Sequence, residues 1–165
     1  MATSDPALPP SCSPLYEKLF ATAIEFVRSQ DQDPNSPSRI NQDRMRAIRT
    51  ADFTHHFGHN TFVSSKPSLQ SPQNLEEFLA HLDTMVPKLE TWNTHISEIA
   101  VDEAKMMCVV RASYFMKPVG ADQAVENDLI WWLWMEEGGS KVQRGMEYID
   151  PIAAAKIMEL MMARK

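Results

Sequence analysis

Residues 52–60 read DFTHHFGHN, which sets His55, His56 and His59 within five positions. Imidazole titrates near neutrality and is also the commonest metal ligand, so this stretch could hold a metal or move protons. The metal reading needs a shared face. His55 and His59 are four apart and would share one only on a helix, as in zinc-binding helices. Gly58 and Asn60 disfavour a helix there, and no glutamate occupies the HExxH position. His81 and His95 lie on other elements without ligand-like spacing, so no metal is expected. Acid/base chemistry asks less: one histidine beside a pocket with a polar partner. If residues 53–57 begin an edge strand, Thr54 and His56 face one side while Phe53, His55 and Phe57 face the other. Only one of the adjacent histidines then looks inward.

Carboxylates in mid-strand positions are the natural partners. Glu147 stands between Met146 and Tyr148, and Asp128 just precedes a run of tryptophans, with Glu126 and Asn127 beside it. Arg111 interrupts the apolar run CVVRASYF. Buried charges are costly unless paired or put to use. A salt bridge from Arg111 to Glu147 or Asp128 would account for them. So would a catalytic acid whose pKa is raised in an apolar, tryptophan-lined cavity. The sequence is compatible with either. Other chemistries lack their motifs: there is no GxGxxG, P-loop, GxSxG elbow or CxxC, and Cys108 sits in an apolar run that reads as core.

The elements that must position these groups follow from local signals. Ser13–Pro14 opens a helix whose apolar stripe runs Leu15, Leu19, Phe20, Ala23, Ile24, Phe26, Val27. DQDPNSPSR breaks the chain, and a short helix over about Asn41 to Thr50 leads into the histidine segment. SSKPSLQSP is a second loop. Asn74 with Glu77 makes a capping box for a third helix that ends at Pro87. The period then changes to that of strands in ETWNTHISEIAV, KMMCVVRASYFMK, VENDLIWWLWM and KVQRGMEYI, with DEA and EGGS as turns. Asp150–Pro151 opens a final helix. Helices, then an antiparallel meander, then a closing helix is an α+β order with helices packed on one face of a curved sheet.

In DLIWWLWM, Trp132 and Trp134 point to one face and Trp131, Leu133 and Met135 to the other. A strand apolar on both faces needs both covered. The helices cover one, and a homodimer partner is the expected cover of the other.

Length and charge bound the rest. At 165 residues the chain fits one domain, expected over residues 14–165 after a disordered tail over 1–13. A net charge of −6 with scattered basic residues argues against nucleic acid or an anionic membrane as partner, and leaves a small molecule or a second copy. Cys12 and Cys108 form no disulfide framework, which fits a reducing compartment. The start MATSDPALPPSCSP lacks the basic and apolar regions of a signal peptide, and no stretch approaches a membrane span. The chain reads as a cytoplasmic protein.

Taken in order, HHFGHN, KPSL, QNLEEF, VENDLIWWLWMEEGG and MEYID resemble the SnoaL-like polyketide cyclase/isomerase family of fungal secondary metabolism, a branch of the nuclear transport factor 2-like fold. Its members carry a histidine on the first strand, a PxSL-like loop, a helix with a polar cap, an xExND/E strand and an EFxD-like strand end. The resemblance runs from about Leu15 to the C-terminus. It implies a cone-shaped α+β barrel and a cofactor-free isomerase, cyclase or dehydratase acting on a polyketide or meroterpenoid intermediate. By position it matches the first-strand histidine to His55 or His56, with His56 preferred, the last-strand acid to Glu147, and the polar pair to Asn127 and Asp128. His56 would then remove a proton alpha to a carbonyl, and Glu147 or Asp128 would return it or protonate a leaving hydroxyl. Asn127 and Arg111 would hold the enolate oxygen. Trp131 or Trp132 would pack against ligand or dimer partner, Phe53 and His59 would line the pocket, and residues 64–73 could form a lid. His59 and the tryptophan-heavy strand depart from the family pattern. The rivals are a non-catalytic dimeric ligand-binding module and a metal-assisted hydrolase using His55 and His59.

Overall fold

Ser13 Oγ accepts the Tyr16 N–H and Pro14 takes the first turn, where its missing N–H costs nothing, so α1 begins there and runs Pro14–Arg28. The structure, a computed structural model, describes residues 5–163. Of the tail expected over residues 1–13, the first four positions lie outside the described residues; Asp5 to Ser13 carry no helix or strand, and Asp5 pairs with Arg28. The helix α1 buries Leu19, Ala23, Phe26 and Val27, the stripe that its spacing predicts. The second helix, α2, is shorter than expected, Gln42–Ala47, because the chain is already extended at Arg49. Strand β1 (Arg49–Phe57) carries two of the histidines.

After β1 comes a one-turn helix, α3 (Asn60–Ser64), a 3-10 turn at Pro67–Leu69, and a two-residue strand, β2 (Gln73–Asn74). Asn74 then caps α4 (Leu75–Met85): its side chain accepts the Glu77 N–H while the Glu77 carboxylate accepts the Asn74 N–H, each at 2.9 Å. Asn74→Ala breaks the box and should cost about 1 kcal/mol, a fall of roughly 2–4 °C in thermal unfolding followed by circular dichroism. The meander is β3 (Leu89–Asp102), β4 (Met107–Pro118), β5 (Val125–Met135) and β6 (Val142–Tyr148). The last helix, α5 (Pro151–Met162), is capped by Asp150, whose side chain accepts the N–H groups of Ile152 and Ala153.

The strands form one sheet in the order β2-β1-β6-β5-β4-β3. β3 to β6 are antiparallel, as their short turns require. β1 differs. It lies parallel to β6, reached by the long crossover through α4 and the meander. Nor is β1 an edge strand, since β2 pairs with it on the other side, Gln73 opposite His55. A register shift in β1 between Arg49 and Thr54, with others in β3 and β5–β6, bends the sheet around α1 and α4.

Side-chain parity divides the sheet into two faces. On β5, Asn127, Leu129, Trp131, Leu133 and Met135 point inward to the helices, while Asp128, Ile130, Trp132 and Trp134 point out. The core joins Leu19, Phe26, Phe53, Phe78, Leu82, Trp92, Tyr114 and Trp131 on the concave side. On the outer face Trp132 and Trp134 stack with ring centroids 5.7 Å apart, and Arg144 caps Trp134 from 3.7 Å. Arg111 also points outward, half exposed and bound side-on to Asp128, where the apolar run around it suggested burial. The alternation of β4 explains this: Val110, Ala112 and Tyr114 take the inner positions and leave Arg111 the outer one.

Candidate active site

The concave face brings a base and an acid together. His55 on β1 is fully buried, and Glu147 on β6 is 9% exposed. The strands set this pair because β1 and β6 are hydrogen-bonded neighbours whose inward residues fall side by side. His55 Nε2 lies 3.1 Å from Glu147 Oε2, within ion-pair reach but off the line of a good hydrogen bond. The imidazole is walled by rings: Phe78 edge-on at 4.3 Å, Phe57 at 4.5 Å and Trp131 at 5.2 Å between centroids. Its Nδ1 has no partner among the described residues. With the proton on Nε2, the nitrogen nearer the carboxylate, the free lone pair sits on Nδ1, where a base assisted by an acid would need it.

Gly58 holds this corner closed. Its N–H donates to Glu147 O at 2.7 Å, and a Cβ there would stand 2.1 Å from the Tyr148 ring. Only glycine lets the end of β1 approach β6 so closely. His59, next along, is in the left-handed conformation and meets the Tyr148 ring edge-on.

Tyr114 adds a donor. Its hydroxyl accepts Trp131 Nε1–H at 2.9 Å and donates to none of the described residues. Burial first, and the nearby Glu147 charge second, push its pKa far up, so the phenol keeps its proton. A protonated phenol aimed into a dry interior can stabilise a developing oxyanion.

His81 was not legible as part of this group, because it lies 26 residues from His55 on α4. It sits one turn beyond Phe78, on the exposed side of that helix, and feels the charges of both Glu147 and His55. Desolvation lowers its pKa below the ordinary 6.5, and the pull of Glu147 only partly offsets this. His56 is lowered too, by partial burial and then by the Arg144 and His55 charges. A histidine with a depressed folded pKa binds fewer protons than the unfolded chain, so stability is full above the unfolded value and declines as pH falls through about 6.5. The melting temperature should therefore drop on acidification from neutrality, and less steeply in His81→Asn. Because both rings are partly solvated, the effect is small.

The remaining sequence candidates divide by face. Phe53 and Trp131 lie inside, within the aromatic wall. Asn127 is also inside, but its Oδ1 accepts the Asp150 N–H at 3.1 Å and fixes the start of α5. Asp128, Arg111 and Trp132 are on the outer face, away from Glu147. His56, the histidine that the sequence favours, points out as well and bonds Thr54 Oγ1 at 3.1 Å. The inward histidine is His55. A cleft of about 230 Å³ does exist outside, between the sheet and the start of α5, lined by His59, Arg111, Asp128, Ile130, Tyr148 and Pro151. Its Asp128 and Arg111 are already paired with each other in solvent and its Asp150 caps α5, so it offers weaker chemistry than the buried pair.

No family model and no curated protein sequence matches the chain. Solved structures do. PrhC from Penicillium brasilianum superposes with a TM-score of 0.72 at 20% identity, over 90% of each chain. BvnE pinacolase from Penicillium brevicompactum gives 0.72 at 18% identity, over 93% of this chain and 97% of the other. A protein from Jannaschia sp. CCS1 assigned as a SnoaL-like polyketide cyclase gives 0.65 at 14% identity, over 95% and 100%. With a curved six-stranded sheet wrapped around α1 and α4 and closed by α5, the chain has the nuclear transport factor 2-like fold of the SnoaL-like proteins.

Proposed function

We propose that the chain is a cofactor-free acid/base enzyme that isomerises, cyclises or dehydrates a polyketide or meroterpenoid intermediate inside its cone. The observation that carries this reading is the buried His55–Glu147 pair at 3.1 Å within an aromatic wall. His55 Nδ1 takes a proton from the carbon alpha to a carbonyl. Glu147 balances the imidazolium, and the Tyr114 hydroxyl donates to the enolate oxygen. The proton returns from His55 at another carbon for isomerisation, or goes to a departing hydroxyl for dehydration. Since His55 is fully covered, substrate entry needs Phe78, which meets its ring edge-on, to move aside, and the loop over residues 64–73 is the proposed lid. The similarity to a pinacolase and to a SnoaL-like polyketide cyclase supports the choice of small-molecule chemistry. Among the described residues no helix is long and apolar enough to cross a membrane, and the two free cysteines support a cytoplasmic setting.

The test is deuterium exchange. Phenolic polyketides and terpenoid–polyketide hybrids with an enolisable ketone are incubated with the protein in D₂O, and products and deuterium are read by NMR. Enzyme-dependent exchange that is lost in His55→Asn supports the reading. Tight binding of a ketone with no exchange and no product would replace it with a ligand-binding module.

The outer face is the proposed seat of a homodimer. The stacked Trp132 and Trp134 lie among Arg111, Asp128 and Arg144, charges of both signs around an aromatic centre, and such a surface is self-complementary about a two-fold axis. Trp132→Glu should convert the dimer to monomer in light scattering coupled to size exclusion. A wild-type monomer across the accessible concentration range would exclude this seat.

A further inference from the structure

Arg49 is an arginine with a missing partner. It opens β1 at 1% exposure, its guanidinium 4.1 Å above the Phe26 ring and 5.2 Å from that of Phe53. Nη1 is fully engaged, donating to Ser29 Oγ at 3.1 Å and to Met45 O at 2.9 Å. Nε and Nη2 are buried and donate to nothing among the described residues. These two nitrogens form one edge of the guanidinium, with parallel N–H bonds that match the two oxygens of a carboxylate.

The same chain shows what that edge is for. Arg44 grips Glu25 with Nε and Nη2 at 2.6 and 2.8 Å. Arg46 grips Glu76 the same way at 3.0 and 2.9 Å, and Arg111 grips Asp128 at 3.2 and 2.8 Å. All three are surface pairs. Arg49 is buried, where an unpaired cation costs most, and its fork meets no acid among the described residues. The rings on its faces and the anchors on Nη1 hold the open edge in a fixed orientation, and each such restraint lowers the entropy lost when the edge is filled.

We propose that the Nε/Nη2 edge of Arg49 seats a carboxylate carried by the ligand, which makes the chain's substrate class a carboxylate-bearing small molecule. Burial pushes the pKa of Arg49 down to about 9, so the guanidinium is still a cation at neutral pH, and its open edge meets no counter-charge among the described residues. Tyr114 links this end of the cone to the His55–Glu147 pair, since it feels the charges of both Arg49 and Glu147. Phe26, Phe53 and Trp131 pack against one another between Arg49 and His55, so a ligand held by its carboxylate at Arg49 must part these rings to reach the pair. The proposal rests on the reading that the cone takes a small molecule, but on no particular reaction.

Benzoate and benzamide are the probes: nearly the same shape, one anionic and one neutral. Each is titrated at constant ionic strength, with the Arg49 Nε–Hε cross-peak followed by NMR and the melting temperature measured in parallel. Benzoate should move the cross-peak saturably and raise the melting temperature by about 5 °C at roughly 100 times its Kd. Benzamide should do neither, and Arg49→Gln should lose the benzoate response. Should Arg49→Gln not fold, the wild-type cross-peak decides alone. A cross-peak indifferent to benzoate, or equally responsive to benzamide, overturns the proposal, as does a benzoate response retained in Arg49→Gln. None of these readouts needs turnover. A carboxylate site with no ketone exchange would sink the catalytic reading and leave this one standing, and the reverse result would do the opposite.

Discussion

Glu147→Gln is expected to reduce proton transfer by about 10²–10⁴ while leaving the fold intact. The substitution keeps size and hydrogen-bonding shape but removes the charge that faces Nε2 of His55 at 3.1 Å. An imidazole that accepts a proton in a dry, ring-lined pocket becomes a cation there, and without the carboxylate that cation has no counter-charge. The loss therefore falls on the transition state and should appear in kcat more than in KM. His55→Asn removes the proposed base itself and should cost a similar factor. Because the two act as a unit, the double variant should be hardly worse than either single one. His56→Ala is the contrasting control. That ring points to the outer face and touches Thr54, so its removal should leave exchange within about twofold of wild type, as for surface substitutions away from a site. A large loss in His56→Ala with a small one in His55→Asn would reverse the assignment of the base.

That reversal was a real prospect from the sequence. The alternation of β1 is legible in DFTHHF: Phe53, His55 and Phe57 had to share a side. Which side faces the helices depends on β1 lying parallel to β6, a contact across about ninety residues that leaves no local trace. The caps were legible, because Asn74 with Glu77 and Asp150 with Pro151 satisfy helix ends from adjacent positions. So was the division of β5 into a Trp131 face and a Trp132–Trp134 face, but not which of the two turns to the helices. Arg111 misled because the residues flanking it are apolar, yet in a strand the neighbours in sequence are on the opposite face. In the sequence Arg49 is only the end of the densest basic stretch, Arg39 to Arg49. Its significance lies in a fork that meets no acid among the described residues, which only the packed interior reveals.

Trp131→Ala should be the most damaging single truncation, lowering stability by about 3–5 kcal/mol. Trp131 is the largest fully buried side chain in the core. It meets Phe26 edge-on at 5.1 Å, stands 5.2 Å from the His55 ring, and donates Nε1–H to Tyr114. Gly145, which pairs with Leu133, packs against the indole: a Cβ there would lie 3.4 Å from both Phe26 and Trp131. Relaxation cannot fill the hole, because β5 is pinned between β4 and β6. At roughly 2–4 °C per kcal/mol, the melting temperature should fall by about 6–20 °C. Trp131→Phe separates the two contributions. It restores most of the ring volume, so the loss should shrink to about 1–2 kcal/mol. It does not restore the donor to Tyr114, whose hydroxyl then has its acceptor side empty and no fixed direction for its proton. If that phenol serves the oxyanion, Trp131→Phe should be well folded and still slow in ketone exchange. Full activity in that variant would remove Tyr114 from the mechanism and leave the catalytic work to His55 and Glu147 alone.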